Sequence, residues 1–170
     1  MANFEPSFEK LMHDEGGFKL VTVEGDRGGM TYAGIARNMN PDWPGWSAID
    51  RKEIPPTQMV RDFYHQGYWE PIRGDELPQT IADTIFNFAV NTSAPKRPVL
   101  AIKLAQLVVK ATPDGVLGEK TLAALKAFDE SKFVMAYALA KIARYRDICM
   151  KDRSQVKFLL GWINRVLGGL

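Results

Sequence analysis

Glu15 is the residue whose type and position most invite chemistry. It continues an apolar helical stripe of Phe8, Leu11 and Met12. A carboxyl so placed loses water, and desolvation raises its pKa toward the range in which a general acid works. Gly16 and Gly17 follow at once and let backbone or ligand come close. The plainer alternative is a surface glutamate at a fraying helix end, and position alone leaves both open. A metal-assisted site has little support. Cys149 is the one cysteine, and His13 and His65 are the two histidines, so the usual nitrogen and sulfur ligands of zinc are missing. Those three residues show no Ser-His-Asp or Cys-His arrangement by spacing, and no cofactor or metal is expected. Asp83, Asn87 and Asn91 recur at four-residue intervals and form a polar line on one helix face.

The elements that must position these residues are mostly helical. Ser7 is the expected N-cap of a first helix that runs to Gly16-Gly17. Residues 18–36 are rich in β-branched residues and glycine and predict a small β-ribbon. A loop holding Trp43 and Trp46 follows. Pro55-Pro56-Thr57 then starts a helix whose Met59, Val60, Phe63 and Tyr64 share a face, with a stop near Gly67. Ile81, Ile85, Phe88 and Ala89 form the core stripe of a helix from Leu77 to about Thr92. The second half is helical throughout, with stripes at Leu100/Leu104/Leu107/Val108, Leu122/Leu125/Phe128, Phe133/Tyr137/Ala140 and Val156/Leu159/Leu160/Ile163/Leu167. The expected fold class is mostly α, an α+β architecture of about seven helices with one β-ribbon.

The 170 residues suffice for one compact domain, or one plus a small appended module. A hydrophobic share of 46% and a charged share of 25% exclude a disordered chain and a coiled coil. The net charge of +2 is too weak for a committed nucleic-acid binder. The first residues lack the basic start and apolar run of a secretory signal, and no apolar run is long enough to span a bilayer. The expectation is synthesis in the cytoplasm without a signal peptide or membrane anchor. Pro95 and Pro98 mark a break at 95–98, which divides the chain into expected regions 1–95 and 96–170, packed into one globule.

The ordered string His13-Asp14-Glu15-Gly16-Gly17-Phe18, then Gly25-Asp26-Arg27-Gly28-Gly29-Met30-Thr31-Tyr32-Ala33-Gly34-Ile35-Ala36, then Tyr64 and Tyr68-Trp69, resembles the glycoside hydrolase 108 family of N-acetylmuramidases, the secretion-activator and phage-endolysin group. The resemblance continues through Ala89-Val90-Asn91. Thr112-Pro113-Asp114-Gly115-Val116-Leu117-Gly118 is similar to the family's C-terminal peptidoglycan-binding segment, and Phe158, Gly161-Trp162 and Arg165 match its closing pattern. Residues 5–168 are covered in all. Phe18 stands where the family usually has Tyr, Arg27 where it has Pro, Asn87 where Asp is frequent, and Ser93 where Gly is common.

The resemblance implies a lysozyme-like fold and a muramidase acting on peptidoglycan. Glu15 would protonate the oxygen of the β-1,4 bond between N-acetylmuramic acid and N-acetylglucosamine. A more distant similarity to phage-type lysozymes implies Asp26 as a second carboxylate and Thr31 as a holder of the attacking water. Glycoside cleavage usually needs one protonated and one ionised carboxyl across the bond. Asp26 among glycines also reads as a turn residue. Substrate contacts are expected from Tyr32, from Tyr68 and Trp69 as a stacking platform for sugar rings, and from Asn87 and Asn91 through N-acetyl groups. Core packing is the competing reading of Tyr68 and Trp69. Expected partners are the glycan strands and a holin or export system that brings the enzyme to the periplasmic wall, with the protein itself a monomer. A lytic transglycosylase using Glu15 alone, or a non-catalytic wall-binding secretion accessory, remain alternatives.

Overall fold

The computed structural model describes residues 1–14, 16–22 and 29–169 of the chain. Eight α-helices and a three-stranded antiparallel sheet form there, joined by short 3₁₀ and π turns. Helix α1 spans Phe4–Asp14 and leads into the sheet, whose strands are β1 (Leu20–Thr22), β2 (Met30–Tyr32) and β3 (Ile35–Ala36) in that order. Then come α2 (Gly45–Asp50), α3 (Thr57–Tyr64), α4 (Gln79–Thr92), α5 (Val99–Val108), α6 (Glu119–Ala127), α7 (Glu130–Lys151) and α8 (Val156–Leu167). The predicted α+β class and the ribbon within 18–36 hold.

Three local readings change. Ser7 is not the cap of α1 but lies inside it, buried, because helix formation begins three residues earlier. Asn3 takes the capping role, its Oδ1 accepting from the Glu5 backbone N–H at 3.0 Å. Pro6 does not prevent this early start, since N–H groups of a first helical turn have no intrahelical partner to lose. The helix expected to stop near Gly67 instead passes through a π turn over His65–Trp69 into two 3₁₀ turns ending at Glu76. The loop of Trp43 and Trp46 contains the extra helix α2: both indoles are buried and pack edge to face with centroids 5.1 Å apart.

The helix starts follow from the prolines. Pro56, Pro78 and Pro98 stand immediately before α3, α4 and α5, where a missing N–H removes no helical hydrogen bond. Helix α4 is the central element, burying Ile81, Ala82, Ile85, Phe86, Phe88 and Ala89. On one side its Phe86 meets Trp69 and Phe4, with centroids 5.5 and 5.9 Å away. On the other, Phe88 meets Tyr137 of α7 edge to face at 5.8 Å. A single hydrophobic core therefore runs through both halves of the chain. Arg73, between α3 and α4, adds a polar tie: its guanidinium pairs with Glu76 and with Glu119 of α6, each at 2.7 Å.

Candidate functional site

Helix α1 ends at Asp14, and Gly16 and Gly17 adopt φ of +80° and +82°, a left-handed turn that L side chains resist. The chain thereby reverses into β1. Glu15 and Asp26 lie outside the described residues, as do Gly25, Arg27 and Gly28 of the glycine-rich loop. Thr31 is described: it sits at the middle of β2, paired with Val21 on one side and Ala36 on the other, and is half-buried.

A groove of about 410 Å³ opens at the end of α1. Asp14, Lys10 and Ser7 form its α1 wall, and the α4 line Asp83, Asn87 and Asn91 forms its floor. Lys141 of α7 and Arg165 of α8 close the far side. These three residues, at every fourth position of α4, thus line the groove. Its acid is internally satisfied: Asp83 Oδ1 accepts from Ser7 Oγ at 2.5 Å and from Gln79 Nε2 at 2.8 Å. Asn91 Nδ2 donates to the Asn87 carbonyl at 2.8 Å, and its Oδ1 accepts from Arg165 Nη1 at 2.8 Å. Helices α4 and α8 are joined at that point. Asn87 Oδ1 lies 3.4 Å from Asn91 Nδ2, while its own amide N–H groups have no partner among the described residues.

A second recess of about 250 Å³ shares Asn91 and Arg165 with the first. Tyr145 and Trp162, stacked with centroids 5.0 Å apart, and Arg144 line it.

The aromatic residues expected at the substrate lie elsewhere. Trp69 is wholly buried, with its Nε1 donating to Asp75 Oδ1 at 2.8 Å, so its ring has no free face for a sugar. Tyr68 is buried beside Phe63 and Tyr64, and its hydroxyl donates to the Ser93 carbonyl at 3.2 Å. Burial pushes that phenol up to about 12. Tyr32 is stacked on Trp43 at 6.0 Å with its ring inside the core. These three underpin the sheet and groove, and core packing is the reading that fits Tyr68 and Trp69.

Lys141 is a groove residue that the sequence pattern did not single out. Its signal is present: Phe133, Tyr137, Tyr145 and Cys149 repeat every fourth position along the buried face of α7, and Lys141 occupies the position between the tyrosines. A lone cation on an apolar stripe is seldom idle. Partial burial pushes its ammonium below the ordinary lysine value.

The segment 112–118 is a knot of internal hydrogen bonds. Gln106 is fully buried; its Oε1 accepts from the Gly115 N–H at 2.9 Å and its Nε2 donates to Asp114 Oδ1 at 2.7 Å and the Val116 carbonyl at 2.9 Å. Gly115, at φ +84°, has no room for a side chain, since a Cβ would come within 2.7 Å of Val99. Among the described residues there is no group of three His, Cys, Asp or Glu that would hold a metal. Among the described residues no helix is long and apolar enough to cross a membrane.

The helical globule, the small sheet at the end of the first helix and the groove beside that end define a lysozyme-like α+β fold. The chain belongs to the glycosyl hydrolase 108 family, whose model matches residues 8–92. A second model, a predicted peptidoglycan domain, matches residues 99–167. Among solved structures, that of Brucella abortus SagA is similar, with 28% identity and a TM-score of 0.72, covering 98% of this chain and 90% of that one. No curated protein matches the chain. The protein is thus a glycosyl hydrolase family member with a peptidoglycan domain, and peptidoglycan is its substrate class.

Proposed function

We propose that this protein is an N-acetylmuramidase, cleaving the β-1,4 bond between N-acetylmuramic acid and N-acetylglucosamine by hydrolysis. The observation that carries the reading is that one groove draws on both matched segments. It starts at Asp14, the residue before Glu15, and ends at Arg165, within the peptidoglycan-domain match. A glycan strand laid along it would pass the end of α1.

In this reading Glu15 gives its proton to the glycosidic oxygen as the bond breaks. Asp26 is the ionised partner, and Thr31 holds the attacking water, which supplies the new hydroxyl at the muramic acid C1. Asn87, whose amide N–H groups lack partners among the described residues, donates to an N-acetyl carbonyl, with Asn91 fixed beside it by Arg165. Residues 1–95 carry the chemistry and 96–170 the wall contact. The monomeric enzyme reaches the periplasmic wall through a holin or an export route and acts there in lysis or secretion, as an endolysin of prophage type does.

Mass spectrometry of the fragments released from purified peptidoglycan tests this. Reducing N-acetylmuramic acid ends are expected, with Asp26→Ala losing most of the release. Products ending in 1,6-anhydro sugars, undiminished in Asp26→Ala, would make the protein a lytic transglycosylase. Sedimentation with the wall and no fragments would leave a wall-binding accessory.

A further inference from the structure

We propose that Lys141 and Arg165 form a receptor for a carboxylate on the ligand, carried by the lactyl group of a muramic acid unit or by the peptide attached to it. The inference rests on the peptidoglycan reading above. Neither cation has a carboxylate partner among the described residues. The two acids that share their groove pair with neither cation: Asp83 Oδ1 accepts from Ser7 and Gln79, and Asp14 lies nearest to His13, at 3.5 Å. Lys141 is held from behind by aromatic rings, its Nζ lying 5.9 Å from the Phe88 centroid and 5.7 Å from that of Tyr137. Such contacts offset part of the cost of burying an ammonium but leave its N–H groups unbonded. Arg165 is aimed by its bond to Asn91 Oδ1, which occupies one of its donors and leaves the others for a ligand.

A neutral ligand over these groups would desolvate a cation without replacing its water. A carboxylate would supply charge-assisted hydrogen bonds, the strong kind. The chemistry of the glycan then decides where such a group is found. Muramic acid units carry a lactyl carboxyl, free in peptide-stripped strands and extended by the peptide, with its own carboxylates, in intact ones. N-acetylglucosamine units carry none. The site therefore discriminates between the two alternating sugars and fixes the register of the strand in the groove.

Binding of the full chain to three soluble ligands of equal length tests this: peptide-bearing strands, peptide-stripped strands, and N-acetylglucosamine oligomers. The wild type should bind a carboxylate-bearing strand about tenfold more tightly than the neutral oligomer. Lys141→Met, which keeps the aliphatic stem, should lower that ratio several-fold, leaving what Arg165 supplies, and Lys141→Arg should retain most of it. Preference for stripped strands would identify the lactyl carboxylate as the ligand; preference for peptide-bearing strands alone would identify the peptide. Equal binding of all three ligands by a wild type that still cleaves peptidoglycan would overturn this inference only. A wild type that neither binds nor cleaves any of them would overturn the muramidase reading with it. A ratio that survives Lys141→Met, with Lys141→Arg indistinguishable, would remove Lys141 from the site.

Discussion

The layer beneath the groove and the sheet beside it are built in opposite ways. Under the groove, Trp69, Phe86, Ile81 and Ile85 are fully or almost fully enclosed. Gly74 passes so close to Trp69 that a Cβ would come within 2.2 Å of the indole. In the sheet, all three residues of β1 are exposed, Leu20 and Val21 by about half, and among the described residues no strand exceeds three. The groove walls are thus set by interlocked helices, whereas the ribbon that carries Thr31 is made of short strands and meets the core through buried Tyr32, Ala33 and Ile35, with Tyr32 stacked against Trp43 and the Ala33 carbonyl accepting from the Tyr64 hydroxyl at 2.8 Å. In the proposed reading the chemistry belongs to Glu15, Asp26 and Thr31, within residues 15–31, and the ligand contacts Asn87, Asn91, Lys141 and Arg165 belong to helices α4, α7 and α8.

The contrast can be broken most forcefully at Trp69. Trp69→Ala should cost about 3–5 kcal/mol, because the cavity lies among side chains that cannot collapse into it. Thermal or urea unfolding would show this, and a loss below about 1 kcal/mol would mean that the layer is not interlocked. Gln106→Ala should follow at about 2–3 kcal/mol, since it strips partners from the buried Gly115 N–H and the Val116 carbonyl together. Urea midpoints at constant slope would measure it.

Tyr68 gives a smaller effect with a pH signature. Its phenol is raised from 10.0 to about 12 by burial, so the folded state holds a proton that the unfolded state releases. That contribution is fully present below pH 10, falls as pH rises, and is exhausted above about 12. Tyr68→Phe should cost about 1 kcal/mol at neutral pH for the lost bond to Ser93. It should also show a shallower decline in stability than the wild type between pH 10 and 12. Parallel declines would show that Tyr68 titrates normally. At the other end of the scale, Val21→Ser on the exposed face of β1 should change stability by less than about 0.5 kcal/mol in the same unfolding assay. A larger loss would mean that the sheet is tied to the core as firmly as the helices are.

The helices were legible because their apolar stripes are strongly periodic: Ile81, Ile85, Phe88 and Ala89 read as a core face, and all four are buried. The start of α1 was misread because Ser7 and Asn3 are both good caps, and only the tertiary bonds of Ser7 to Asp83 and of Asn3 to Gln79 choose between them. The stacking platform was illegible for a similar reason. An aromatic pair after a helix stop looks the same whether it faces sugar or core, and here the chain stays helical past Gly67, turning Trp69 inward onto Phe4. The polar line of α4 was visible as a line, but its meaning depended on α7 and α8 arriving opposite it. Lys141 could have been found from its place in the four-residue repeat of α7.

The proposed division of labour has Glu15 perform the chemistry while the helical layer holds the fold and the glycan strand. Its most direct test compares wild type and Glu15→Gln side by side, for release of fragments from purified peptidoglycan and for melting temperature. The account predicts at least a ~100-fold loss of release with no change in melting, as expected on removing a general acid from an intact fold. Release by Glu15→Gln at the wild-type rate would contradict it.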